Sequence, residues 1–447
     1  MKGEVMEILE IVKKNKKEML EDMQGLLRID STLVETDDPE APFGRGIRES
    51  LDYVLALGEK MGFRVKNVNN VAGHVEYGNG EEIIGILCHV DVVPAQGNWK
   101  YPPFSGTISE GRIYSRGASD DKGPTIAALY ALKALKDLGF EPQKRVRLII
   151  GTDEESHWRG IKTYFQECEM PDFGFSPDAD FPVIYGEKGI MSIDVTGPAS
   201  ELFFHAGDRY NVVPDEARAK PAKDLKAEFL AYLEEAGLKG ECGEEMIIYG
   251  KAAHAMEPEN GVNALVKMCE FLNRHLEDSF VAFVAECLTD SRFRKIKLDF
   301  SDPEMKDLTV NVAFLEIKDG KGRLGLNLRY PINWDKESFF KEFGAISEKY
   351  GLETNVVQNQ PPHYVDKNDL LVKTLHRAYV HYTGDEKTPL LTIGGGTYAR
   401  ALKKGVAFGP TFPGREEVAH QVDEYIEIED IVLATAIMAR AVRELAR

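Results

Sequence analysis

The chain contains little cysteine, has a deficit of positive charge and lacks any long apolar run. Its 447 residues include five cysteines, an odd number without a Cys-x-x-Cys spacing, which argues against a disulfide-held fold and favours reduced thiols of a cytoplasmic protein. The net charge of −19 argues against nucleic acid or an anionic membrane surface as a partner. No apolar run reaches the roughly 18–20 residues that span a bilayer. Residues 1–29 have the pattern of a charged amphipathic helix rather than a signal peptide.

The first part of the chain has the pattern of an α/β domain. The length exceeds that of one ordinary domain, so two or three domains are expected. Residues 81–93 and 145–151 are mostly apolar, which is typical of strands buried on both faces. Between them, 123–138 has the apolar spacing of a helix that stops at Gly139. A strand, a helix and a second strand in this order predict a crossover in a mostly parallel sheet.

The middle of the chain has a different pattern. Residues 188–366 alternate short strand-like and helical segments and include a hairpin that turns at Asp319-Gly320. This alternation predicts an α+β domain. Because candidate site residues occur both before and after it, we expect a discontinuous catalytic domain of 1–187 and 367–447, interrupted by an inserted domain.

The groups able to do chemistry lie in short stretches, most of them beside glycine- or proline-marked turns. These stretches are Cys88-His89-Val90-Asp91, Asp120-Asp121, Asp153-Glu154-Glu155, Ser176-Pro177-Asp178 and Ala419-His420. Together they offer two imidazoles, three carboxylates able to ligate and a spare glutamate. A hydrolytic pair of divalent ions needs a bridging carboxylate, two further ligands for each ion and a base for the water between them. The stretches that follow the predicted parallel strands stand at their carboxyl ends, where open α/β sheets place their sites.

Each stretch alone also has a simpler structural interpretation. A His-x-Asp pair is most often a hydrogen bond, paired glutamates are most often solvated, and Ser-Pro-Asp suits a turn. Asp120-Asp121 suits a helix N-cap, because acids favour that position. The run 394–396 of three glycines could form an anion-binding nest, but it lacks the ending of a phosphate loop, so a tight bend is the preferred interpretation.

Eight motifs in order carry a resemblance to a known family. They are HVDVVP at 89–94, SRGASDDKGP at 115–124, TDEES at 152–156, SPDADFPVIYGEKG at 176–189, GKAAHAMEPENGVNA at 250–264, LNLRYP at 326–331, IGGGTYAR at 393–400 and AHQVDEY at 419–425. In this order the chain resembles the M20 family of metallopeptidases, most closely its PepV-like dipeptidase branch. The expected fold is therefore α/β, a catalytic domain with a mostly parallel sheet and helices on both faces, interrupted by an inserted α+β lid domain.

The resemblance implies a site for two divalent metal ions. Asp120 would bridge the two ions, His89 and Asp178 would complete the protein ligands of one ion, and Glu155 and His420 those of the other. Histidine and carboxylate ligands suit zinc, manganese or cobalt, with zinc expected first. The resemblance also implies that the peptide bond following Asp120 is cis.

The resemblance implies further roles for residues around the ions. Glu154 would be the general base, which takes a proton from the bridging water and returns it to the leaving amine. Asp91 would orient the neighbouring histidine. On the lid domain, His254 would polarise the scissile carbonyl, Arg329 would hold the C-terminal carboxylate of the substrate, and Asn211 would be a helper donor.

These roles predict a metal-dependent dipeptidase that hydrolyses short peptides with a free C-terminal carboxylate. A carboxylate clamp favours short substrates, because it measures the distance to the scissile bond. Aminoacylases, desuccinylases and carboxypeptidases use the same kind of metal site and remain alternatives. A non-catalytic binding protein on this scaffold is the alternative from another class. A monomer is expected, because the insertion is as large as a full domain and should reach its own catalytic domain.

Overall fold

The computed structural model describes residues 2–447. Within this range the α-helices are α1 (Lys2–Leu27), α2 (Arg45–Lys60), α3 (Lys122–Asp137), α4 (Arg159–Glu167), α5 (Lys226–Ala236), α6 (Ala264–Leu272), α7 (Ser279–Cys287), α8 (Lys336–Glu348), α9 (Leu370–Thr383) and α10 (Ile428–Leu445). The β-strands are β1 (Arg64–Val68), β2 (Ala72–Tyr77), β3 (Ile83–His89), β4 (Thr107–Ser109), β5 (Arg112–Tyr114), β6 (Arg145–Gly151), β7 (Phe173–Ser176), β8 (Ala179–Asp180), β9 (Ile184–Glu187), β10 (Gly189–Pro198), β11 (Phe203–Ala206), β12 (Glu216–Lys220), β13 (Lys239–Cys242), β14 (Met246–Tyr249), β15 (Ser301–Asp302), β16 (Lys306–Asp307), β17 (Thr309–Lys318), β18 (Lys321–Tyr330), β19 (Glu353–Gln360), β20 (His363–Tyr364), β21 (Leu391–Ile393), β22 (Gly405–Ala407), β23 (Pro410–Thr411) and β24 (Tyr425–Glu427).

The chain divides into two compact units. Unit 1 comprises the chain up to Tyr185 together with Val365–Leu391 and Gly396–Arg447, and unit 2 comprises Gly186–Tyr364 and Thr392–Gly395. The predicted insertion, 188–366, differs from unit 2 by two residues at each end and by the short segment that begins at Thr392.

The sheet of unit 1 is parallel at its centre. Its strands lie in the order β1-β2-β6-β3-β7-β22-β9. The four strands β6, β3, β7 and β22 run parallel, whereas β1, β2 and β9 pair antiparallel with their neighbours. Every residue of β3 is buried, which explains the apolar run in its sequence. The predicted α/β class is confirmed.

Helices cover both faces of this sheet. The crossovers from β3 to β6 and from β6 to β7 run in opposite directions across the sheet. Because such crossovers are right-handed, α3 and α4 lie on opposite faces. The helices α1 and α10 pack with α3, and α4 packs on β1 and β2. Leu87 of β3 and Ile149 of β6 share a core with Ile161 and Tyr164 of α4. Because alternate residues of a strand point to the same face, His89, two residues after Leu87, also lies on the α4 side of the sheet.

Unit 2 is built on an antiparallel sheet. Its strands lie in the order β13-β14-β12-β11-β17-β18-β10-β19, and all of its strand pairs are antiparallel. Helices α5 to α8 contribute to the core that packs against this sheet. The hairpin of β17 and β18 turns at Asp319 and Gly320, which both have positive φ angles, 53° and 71°. The predicted α+β insertion and its hairpin are therefore confirmed.

The sequence analysis also made expectations about disulfide bonds and about membrane-spanning helices. All five cysteines are free thiols, and Cys88, Cys269 and Cys287 are buried. Among the described residues, we find no helix with the length and apolar character needed to cross a membrane.

Candidate metal centre

Three neighbouring parallel strands bring together the predicted ligands that follow them in sequence. β3 ends at His89, β6 ends just before the turn that carries residues 153–155, and β7 ends two residues before Asp178. Because β6, β3 and β7 are adjacent and parallel, their carboxyl ends lie at one edge of the sheet. The side chains predicted as ligands therefore converge although their stretches are far apart in sequence.

The carboxylate of Asp120 lies at the centre of the cluster. Its Oδ1 is 3.0 Å from Nε2 of His89, and its Oδ2 is 2.9 Å from Nε2 of His420. Asp178 Oδ2 lies 3.9 Å from Nε2 of His89, and Glu155 Oε1 lies 2.9 Å from Nε2 of His420. All five predicted ligands thus meet in two groups that share one carboxylate, and the ligand atoms within each group lie within 4.8 Å of one another.

The ring of His89 is held in one orientation. Its Nδ1 is 3.0 Å from the backbone carbonyl oxygen of Asp91 and 3.4 Å from the carboxylate of the same residue. Because both oxygens are acceptors, they favour a hydrogen on Nδ1, so Nε2, which faces Asp120, would be the nitrogen that binds a cation. The other carboxylate oxygen of Asp91 accepts the backbone N–H of Glu155 at 3.0 Å. Asp91 therefore ties the end of β3 to the turn after β6.

The side chain of Asp121 holds the backbone of a predicted ligand. It stands at the N-cap position of α3 but makes no side-chain cap bond, so the simple N-cap interpretation does not describe it. Its Oδ2 instead accepts the backbone N–H of His89 at 3.0 Å. The peptide bond between Asp120 and Asp121 is cis, which confirms the expectation drawn from the resemblance.

Unit 2 carries the predicted guanidinium on β18. Arg329 is 3% exposed, and its Nε donates to Oδ1 of Asn327 at 2.8 Å while Nη1 donates to the carbonyl of Gly394 at 3.0 Å. The amide of Asn327 lies 3.4 Å from the hydroxyl of Ser192 on β10. The position of this guanidinium is therefore set by one polar neighbour on its own strand and by the carbonyl of Gly394.

The predicted histidine of unit 2 lies next to the predicted helper donor. His254 forms an isolated antiparallel bridge with Val212, and its Nδ1 accepts the backbone N–H of Met256 at 3.2 Å. The backbone N–H of Ala255 donates to the carbonyl of Asn211 at 3.0 Å. The structure thus brings the segments of His254 and Asn211 together, and their roles stay predictions.

Comparison with known proteins identifies the family. A family model described as Peptidase family M20/M25/M40 matches residues 85–444. The chain belongs to this family. A protein of Bacillus subtilis (strain 168) named "Putative dipeptidase YtjP" is 46% identical, and the match covers 98% of this chain and 99% of that protein. This M20 enzyme therefore has a close relative along nearly its whole length.

Solved structures share the fold of this M20 enzyme at low sequence identity. Human carnosine dipeptidase 1 matches with a TM-score of 0.61 and 15% identity, covering 99% of this chain and 98% of that chain. A Bacillus subtilis protein described as a dinuclear metal binding peptidase from the M20 family matches with a TM-score of 0.52 and 11% identity, covering 96% and 99%. These likenesses establish that the two-unit fold is that of the family.

Electrostatics favour cations at the cluster of the M20 enzyme. Burial raises the pKa of Asp178 well above its ordinary value, and the nearby negative charge of Asp120 raises it further. Hydrogen bonds with Asp120 and Glu155 raise the pKa of His420 to about 11, although burial opposes them. These shifts show a strongly negative potential, which divalent cations would neutralise. A donor set of two imidazoles and three carboxylates in two groups fits such ions.

Glu154 differs from its neighbour. It belongs to neither ligand group, whereas Glu155 belongs to one of them. Burial raises the pKa of the Glu154 carboxyl well above its ordinary value; the charge of His89 opposes this shift, and Glu155 and Asp120 reinforce it. A carboxyl group that lies beside a ligand cluster without belonging to it can accept a proton and release it again.

Two buried charged residues of the centre were not singled out by the sequence analysis. Arg116 and Glu424 form an ion pair of 2.6 Å with side chains 3% and 1% exposed. The available signal was their spacing, since each lies four residues from a predicted ligand, Asp120 or His420, within a quoted motif. Nothing in the local pattern showed that these two charges would be buried against each other.

Proposed function

We propose that this M20 enzyme is a dipeptidase that uses two divalent cations to hydrolyse peptides with a free C-terminal carboxylate. The observation that carries the proposal is the shared carboxylate of Asp120, whose two oxygens face His89 and His420 at 3.0 and 2.9 Å. Two groups of ligands around one carboxylate suit a pair of ions bound side by side. The name of the Bacillus subtilis relative supports a dipeptide substrate.

The ligands are proposed to divide between two half-sites. His89, Asp120 and Asp178 form half-site A, and Asp120, Glu155 and His420 form half-site B. When bound, the ions would polarise the scissile carbonyl and lower the pKa of the attacking water. Zinc is the first candidate, and manganese and cobalt suit the same donors.

Glu154 is proposed to move the proton. Its carboxylate would take a proton from the attacking water and deliver it to the nitrogen of the leaving amine. Its position next to Glu155 and outside both ligand groups supports this role, and the partial burial that raises its pKa strengthens it as a base. Asp91 would keep the imidazole of His89 in the orientation described above, through Nδ1.

Unit 2 is proposed to bind two groups of the substrate, the C-terminal carboxylate and the oxygen of the scissile carbonyl. Arg329 would bind the C-terminal carboxylate, and its hydrogen bonds with Asn327 and Gly394 hold the guanidinium in place before a substrate arrives. His254 would stabilise negative charge that develops on the carbonyl oxygen, with Asn211 as a further donor. The pairing of their segments supports placing these two side chains at one site.

A substrate panel tests the proposal. The metal-loaded enzyme should cleave unmodified dipeptides faster than three other kinds of substrate. Tripeptides exceed the short reach, dipeptide amides lack the free carboxylate, and N-acyl amino acids lack the free amino group. A dipeptide amide differs from its parent solely in the group that Arg329 is proposed to bind. Faster cleavage of N-acyl amino acids than of dipeptides would contradict the proposal and favour an aminoacylase or desuccinylase.

A further inference from the structure

Half-site B is assembled from loops that are distant in sequence. Asp120 stands between β5 and α3, whereas His420 stands in the loop between β23 and β24. His420 is half exposed and has a φ of 64°, in the left-handed region that non-glycine residues rarely adopt. A side chain in such a loop needs other contacts to keep its nitrogen at 2.9 Å from Asp120.

Arg116 supplies contacts from the Asp120 loop to the His420 loop. Its Nη1 donates to the carboxylate of Glu424 at 2.6 Å and lies 3.3 Å from the carbonyl of Gln421. Its Nη2 donates to the carbonyl of His420 itself at 3.3 Å. The guanidinium also lies 5.1 Å from the ring centre of Trp99. One side chain therefore holds the backbone of a proposed ligand and of the residue after it.

Glu424 supplies contacts in the reverse direction. Its carboxylate accepts the backbone N–H groups of Gly117, Ser119 and Asp120 at 3.2, 2.9 and 3.2 Å. Its own carbonyl accepts the backbone N–H of Ser115 at 3.0 Å. Each loop thus contributes one buried side chain that binds the backbone of the other loop, and a proposed ligand is among the residues bound on each side.

The energetics of this pair favour a positioning role over a stabilising one. Burying two charges costs desolvation energy, so a buried ion pair adds little stability compared with apolar side chains of similar size. What a hydrogen-bonded pair does supply is a defined geometry, because the planar guanidinium donates, and the carboxylate accepts, only in fixed directions.

We propose that Arg116 and Glu424, together termed the loop clasp, are positioning residues that set the distance between His420 and Asp120 and thereby the metal affinity of half-site B. The inference rests on the metal-binding role proposed above for these ligands. Half-site A depends less on the clasp, because it shares only Asp120 with the clasped loops, whereas half-site B takes both Asp120 and His420 from them. The other two ligands of half-site A, His89 and Asp178, stand at the end of β3 and two residues after β7.

The test measures metal binding rather than turnover. Metal-free enzyme is titrated with Co²⁺, which is followed by absorption spectroscopy, and with Zn²⁺, which is followed by equilibrium dialysis. Wild type should bind two ions. Arg116→Gln should bind one ion with unchanged affinity and the other about 10–100-fold more weakly, the usual effect of removing a group that orients a ligand. Arg116→Lys keeps the charge but loses the planar guanidinium, so its affinity for the weakened ion should lie between those of wild type and Arg116→Gln.

A second variant separates position from stability. Replacing the clasp by the apolar pair Arg116→Met with Glu424→Leu removes the buried charges, which commonly leaves stability intact, and it should weaken the same single ion. The matched control is Arg147→Met with Glu76→Leu, another buried pair of unit 1 at 2.7 Å, whose hydrogen bonds go to residues outside both half-sites. The control should bind both ions as wild type does.

His420→Ala completes the set. It should weaken the ion of half-site B, and adding Arg116→Gln to it should weaken that ion no further, because Arg116 holds the backbone of His420. Unchanged binding of both ions by the clasp variants would overturn the proposal, as would equal weakening of both ions. A wild type that binds fewer than two ions would instead refute the two-ion function, and the clasp proposal with it.

Discussion

The two units of this M20 enzyme bring functional side chains together in different ways. In unit 1 the proposed ligands follow parallel strands or come from loops, so residues from five separate stretches meet at one edge of a sheet. In unit 2 polar side chains meet across antiparallel strands through their register. Asn327 pairs with Asn311 on one side and with Ser192 on the other, and Arg329 lies two positions farther along the same strand.

This difference separates the proposed tasks. All the proposed metal ligands and Glu154 belong to unit 1, whereas Arg329 and His254 belong to unit 2. Substitutions in unit 1 should therefore alter metal content or proton transfer. Substitutions in unit 2 should alter only the handling of the substrate, so that metal content becomes the measurement that distinguishes the units.

The largest effect is expected at Glu154. Glu154→Ala should retain both ions but lower kcat by about 10²–10⁴-fold, because a general base that is not a ligand contributes about this much. Steady-state kinetics with metal analysis of the same sample would check this. Glu155→Ala is the matched variant at the adjacent position and should lose an ion. A near wild-type rate for Glu154→Ala with both ions bound would refute its assignment as the base.

His254 should show a somewhat smaller effect on turnover. His254→Ala should lower kcat by roughly 10²–10³-fold if the imidazole stabilises developing negative charge as an oxyanion donor does. Metal content should stay at the wild-type value, because the residue belongs to unit 2. Loss of an ion in this variant would break the separation of tasks between the units.

Arg329 should affect binding more than turnover. Arg329→Ala should raise KM for dipeptides by roughly 10–10²-fold, because a buried charge partner of the substrate carboxylate is removed. Arg323→Ala, on the same strand but half exposed, is the matched control and should change KM little. With a dipeptide amide, wild type and Arg329→Ala should become alike. A fall in kcat alone would contradict the clamp.

The smallest effect concerns the stability of unit 1 at acidic pH. Burial lowers the pKa of His74 to about 4, with the charge of Arg147 contributing in the same direction. Between pH 6.5 and 4, His74 is therefore protonated in the unfolded chain but neutral in the folded chain. The free energy of unfolding consequently decreases as the pH falls through this window, by up to about 3 kcal/mol. Thermal unfolding at several pH values should show a shallower acid loss for His74→Gln. Equal slopes for the two proteins would refute the prediction.

Local patterns were enough to predict β3, α3 and β6 of unit 1 and the hairpin of β17 and β18 in unit 2. The apolar run of β6 occupies the predicted residues 145–151, and the positive φ angles at Asp319 and Gly320 follow from the residues themselves. The helix α7 was not predicted, because buried residues such as Phe280 and Val281 leave it without a clear polar face.

The sequence by itself determined the family, the α/β and α+β classes and the set of ligand types, since these depend on short motifs and on local periodicity. Tertiary structure alone decided that Arg116 and Glu424 are buried against each other and that residues 392–395 group with unit 2. The reason is physical: burial and pairing across hundreds of residues depend on how sheets and loops pack together. A charged residue inside a motif has the same local pattern whether it ends in solvent or between two loops that hold a metal ligand.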